Sequence, residues 1–157
     1  MAINHQGKII TLWSVFLLGT LFHTHLGVMP LFHGINIAHT EPTAVNMDLI
    51  LWLMLGFFVL PMFAAIATGF TDDKRYRIAH FGLTLIYSVL NFLHLALDLM
   101  VQPIVWSQIA LMAILFAIGL LLNVVAFQWL RERGRVQRRR HMEMHRGLHI
   151  SADRADT

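Results

Sequence analysis

The sequence predicts an all-α fold: an integral membrane four-helix bundle running up-down-up-down, with both termini cytoplasmic. Three observations carry this. The 157-residue chain is 57% hydrophobic and only 13% charged, whereas soluble domains carry about 25% charged residues. The apolar residues fall in four blocks, each near the length of about 20 residues that a bilayer crossing needs. None of the blocks holds a Lys or Arg.

The first span runs from about Ile9 to Leu31. It is long for the apolar core of a signal peptide, about 7–15 residues, and no clear small-x-small cleavage site follows it. It reads as a retained helix. The second span runs from about Leu49 to Phe70, with Asn46 or Asp48 able to cap its start and Pro61 expected to kink it. The third runs from about Ile78 to Val101, after Thr71-Asp72-Asp73, whose side chains are expected to cap it. The fourth runs from about Ile104 to Leu130, separated from the third by the helix-breaking Pro103. Trp106, Trp129 and Tyr76 stand at depths expected for membrane interfaces. A soluble bundle would need charged outer faces, which these segments lack. Residues 1–134 therefore form one four-span domain. Residues 135–157 form a basic His/Arg-rich tail, read as loose or lying on the membrane surface.

Orientation follows from the basic residues. Lys8 precedes the first span; Lys74, Arg75 and Arg77 lie in the second joint; the other eight of the twelve lie between Arg131 and Arg154. The positive-inside rule puts these segments in the cytoplasm of a cell's inner (plasma) membrane. The pI of about 10.0 thus points to lipid rather than nucleic acid. The Arg-rich tail suits anionic lipid.

No cysteine is present, so disulfides, thiolate metal sites, thiol catalysis and c-type haem attachment are excluded. No P-loop, nucleophile elbow, H-E-x-x-H or dinucleotide fingerprint occurs. Any bound metal or haem must use His, Met, Asp, Glu or backbone, and ten histidines are available.

The third span arranges polar residues on one face. His80, Thr84, Tyr87, Asn91, His94 and Asp98 are spaced four, three, four, three, four, the period of a helix stripe. Such a seam must face the bundle interior or a wet cavity. Counting about 1.5 Å per residue from the cytoplasmic ends, His94 lies about 24 Å deep and His23 of the first span about 21 Å. His25 points about 200° away from His23. His33, His39 and Glu41 follow in the outer loop.

The expected site is an outward-facing cluster. His23, His94, Asp98, Asn91 and Tyr87 are candidate cofactor-binding residues; His23, His25, His33, His39, His94 and Asp98 are candidate metal ligands. Imidazole ligates both metals and haem, and an acid beside it orients the ring. The readings left open are a b-type haem or quinone site in electron transfer, a divalent-metal site for binding or transport of copper, zinc or iron, and an accessory or assembly subunit of a larger membrane complex or homo-oligomer. In the last, the polar residues only bond one another and fix helix register. In the tail, His141, His145 and His149 recur every four residues and suggest a weaker chelation site among the arginines.

Overall fold

A computed structural model describes residues 4–35, 46–102 and 104–155, with side chains described up to Glu132. Among these residues the protein is all-helical. Helix α1 spans His5–Phe32, α2 Met47–Phe70, α3 Lys74–Asp98 and α4 Trp106–Ala155. All four are long and apolar enough to cross a membrane, α4 through its Trp106–Glu132 portion.

The helix ends follow local chemistry. Asn4 caps α1 by accepting from the Gly7 N–H at 2.8 Å. Asn46 caps α2 in the same way through Leu49. At the other end of α1, Gly34 takes φ +73°, a conformation that costs glycine little. This turn lets the amides of Gly34 and Ile35 close on the carbonyls of Leu31 and Pro30. The start of α3 departs from expectation. Asp73 stands at the N-cap position, but its side chain makes no capping bond. Asp72 instead accepts from the Arg77 guanidinium. Arg77 is therefore part of the helix, not of the joint, and α3 starts four residues earlier than the apolar block. Pro61 lies within α2, which continues past it to Phe70. The backbone of α4 stays helical well beyond Leu130, to Ala155. Gly134 and Gly147 are weak points in this stretch, and the Arg, Gln, Met and Glu between them favour helix.

Helix α4 packs along both α3 and α1, and α1 packs along α2. Each helix contributes one narrow stripe to the interior. From α1 it is Ile9, Trp13, Phe16 and His23; from α2, Pro61, Ala64 and Thr68. From α4 come Met112, Leu115, Leu122, Val125, Ala126 and Trp129. The α3 stripe is polar: Arg77, His80, Thr84, Tyr87, Ser88 and Asn91 are all buried. Large apolar side chains such as Trp52, Phe63 and Phe92 face outward. This inverted distribution suits lipid, where close packing and interhelical hydrogen bonds hold helices together.

Below the level of His23 the interior stripe is linked by several side-chain hydrogen bonds, although His80 Nδ1 and Asn123 Oδ1 are buried without a partner. Trp13 is wholly buried and donates its indole N–H to His80 Nε2 at 3.0 Å. Its ring stands edge-on to Phe16, His80 and Tyr87. The Tyr87 hydroxyl donates to the Phe57 carbonyl and the Tyr76 hydroxyl to that of Ala64. Asn123 donates to Ser88 across α3 and α4 at 2.8 Å. Gln6 joins α1 to α2 through the Thr68 carbonyl.

Candidate functional site

His23 lies on the buried stripe of α1, one turn past Gly19, where α1 approaches α4 closely. Helix α3 brings His94 and Asp98 to the same place from positions one turn apart. His23 Nε2 lies 3.6 Å from Asp98 Oδ2, and His94 Nε2 lies 3.5 Å from Asp98 Oδ1. The two imidazole rings stand edge to face, with centroids 5.3 Å apart. One donor atom from each of the three residues falls within 4.8 Å of the others. His23 is buried, the Asp98 side chain is 24% exposed and that of His94 is 56% exposed. His23 Nδ1 and Asp98 Oδ2 are buried without a hydrogen-bond partner. At 3.5–3.6 Å the imidazole–carboxylate contacts are too long for hydrogen bonds. They match the spacing of groups that share a cation.

The other expected site residues divide. Asn91 is buried one turn below His94 and has a partnerless Nδ2 in the interior. Tyr87 is buried further down, but its hydroxyl is used by the Phe57 carbonyl. His80 is engaged by Trp13. His25 is exposed on the opposite face of α1, and His33 is exposed at that helix's C-cap. Neither belongs to the group of three. Asp48 is exposed in the first turn of α2. His39 and Glu41 lie outside the described residues, as do the side chains of His141, His145 and His149.

Beside the trio is a cavity of about 330 Å³ between α1, α2 and α3, also lined by Met112 of α4. Its walls are mostly apolar, including Phe16, Phe57 and Phe58, with His23, Asn91 and His94 as its nitrogen-bearing lining. Sequence reasoning does not reveal this cavity, because it arises from a gap between helices rather than from one helix's pattern.

Arg77 is the other functional-looking side chain that sequence reasoning misses. It is 4% exposed. Its guanidinium bonds Asp72 and the Trp129 carbonyl and lies over the Trp129 ring at 4.6 Å. An acid five residues upstream is the available signal. Trp129 accordingly faces the interior rather than lipid.

Comparison with known proteins gives no match: no family model fits the chain, and no curated protein or solved structure matches it.

Proposed function

We propose that this chain is a multi-pass protein of a cell's inner (plasma) membrane that binds a divalent metal ion between His23, His94 and Asp98, near the outer face. The bundle runs up-down-up-down with both termini cytoplasmic. The order of contacts supports that topology: Gln6 meets Thr68, Ser88 meets Asn123, and Arg77 meets Trp129. The one-sided distribution of Lys and Arg supports the orientation.

The single observation that carries the metal reading is the shared carboxylate, with one histidine nitrogen facing each of its oxygens at 3.5–3.6 Å. Zinc binds imidazole nitrogen and carboxylate oxygen at about 2.0–2.2 Å, which puts tetrahedral ligands about 3.4 Å apart. Two imidazoles and one carboxylate suit zinc, copper, iron or nickel better than magnesium or calcium. Three protein donors leave the coordination incomplete, as in sites that accept a further ligand. The exposure of His94 supports an ion that exchanges rather than a buried structural staple. A bound ion supplies Lewis acidity at this point. The protein's part is to present His23 from one helix and the His94–Asp98 pair from another.

A b-type haem fits less well. Its plane would have to pass between the two axial imidazoles, and Asp98 stands within 3.6 Å of both.

Metal titration of the purified protein tests the reading. Zn²⁺ or Co²⁺ is expected to bind saturably at one equivalent per chain, and His94→Ala is expected to weaken it at least about tenfold. No saturable binding, or an unchanged His94→Ala variant, overturns the metal reading and leaves the accessory-subunit reading in its place.

A further inference from the structure

We propose that the cavity beside the metal trio binds a neutral, lipid-soluble quinone, with the Asn91 amide donating to a ring carbonyl. The proposal deepens the metal-site reading in one respect only: the role given to His23 rests on it.

The cavity has the size of a small-ligand site, about 330 Å³. Its mouth is framed by Leu53 and Leu90, which are on the outward face of α2 and α3. A ligand would therefore enter from the bilayer, which selects a lipid-soluble molecule. Among the described residues no Lys or Arg lines the cavity, so nothing there favours an anion.

The polar groups narrow the class further. Asn91 is 3% exposed, and its Nδ2 has no partner. His23 is 9% exposed, and its Nδ1 has none either. Both residues line the cavity. Where His23 Nε2 gives its lone pair to the ion, the ring proton sits on Nδ1, making a second donor. A lipid tail offers no acceptor to such groups, and a mostly apolar chamber holds water poorly. A neutral ring bearing carbonyl oxygens satisfies the donors, while Phe16, Phe57 and Phe58 supply aromatic walls for its faces.

The test is titration of the full chain in nanodiscs with decylubiquinone, following quenching of tryptophan fluorescence, with oleic acid as the control ligand. Saturable quenching by the quinone and not by oleic acid is expected. Asn91→Leu is expected to weaken it about tenfold, the loss of one buried hydrogen bond. Leu53→Trp, which narrows the mouth from the lipid side, is expected to weaken it as well. Zn²⁺ binding by both variants is expected to stay as in the wild type, so failure here is separable from failure of the metal reading. The proposal is overturned if the quinone does not quench saturably, if oleic acid competes equally, or if either Asn91→Leu or Leu53→Trp binds as the wild type.

Discussion

The Trp13 indole N–H donates to His80 Nε2 at 3.0 Å, joining α1 to α3 through two side chains that are both wholly buried. The bond fixes the His80 tautomer, because the accepting nitrogen must be the unprotonated one. Trp13→Phe removes the donor and leaves a buried imidazole acceptor unpaired. A loss of about 1–3 kcal/mol is expected. Trp13→Phe combined with His80→Leu is expected to be more stable than Trp13→Phe alone, since no polar group is then stranded. Reversible unfolding in detergent micelles measures both; equal stability of the single and double variants would contradict the role given to this bond.

Arg77 ties the start of α3 to α4. Asp72→Ala leaves its guanidinium bonded to the Trp129 carbonyl but strips the charge partner. A destabilisation of about 1–3 kcal/mol is expected, and a larger one for Arg77→Met, which removes both links. Thermal melts of the two variants check the order.

Gly19 and Gly56 make opposite predictions. A Cβ at position 19 would press into the Leu115 side chain, well inside van der Waals contact, whereas one at position 56 would meet nothing within 4 Å. Gly19→Ala is expected to cost about 1–3 kcal/mol, with partial recovery on adding Leu115→Ala. Gly56→Ala is expected to be neutral or to stabilise by up to about 1 kcal/mol. Unfolding curves of the three variants decide; a neutral Gly19→Ala would show that Leu115 yields freely.

Asp98→Asn preserves shape while removing the charge shared by His23 and His94. Zinc affinity is expected to fall by about 10–100-fold, with little change for His25→Ala, whose ring is exposed on the far side of α1. Equilibrium dialysis compares them, and a strong effect of His25→Ala would mean that the site is drawn from the wrong residues.

The four helices are legible in the sequence because lipid demands uninterrupted apolar runs. Their ends are less so. Basic residues read as a joint, yet Arg77 enters α3 because Asp72 and the Trp129 carbonyl satisfy its charge. The polar seam is also legible, but its outer end is not. At about 100° per residue His94 is rotated about 40° from His80 in one sense, while Thr84 and Ser88 are rotated about 40° and 80° in the other. The buried sector is centred on their side, so His94 emerges half-exposed at its edge. Asp98 returns to the angle of His80 and reaches inward. Depth counting pairs His23 with His94, but it does not show the cavity or the Trp13–His80 bond. Those depend on which helices touch.

The bare backbone at Gly19 has a reach beyond its own contact. Leu115 fills the notch that glycine leaves, so α1 and α4 mesh like a key in a ward and cannot slide along each other without leaving it. His23 rides on the same helix one turn away. The vertical setting of one imidazole against the carboxylate across from it is thus decided by a missing methyl group on a different helix pair.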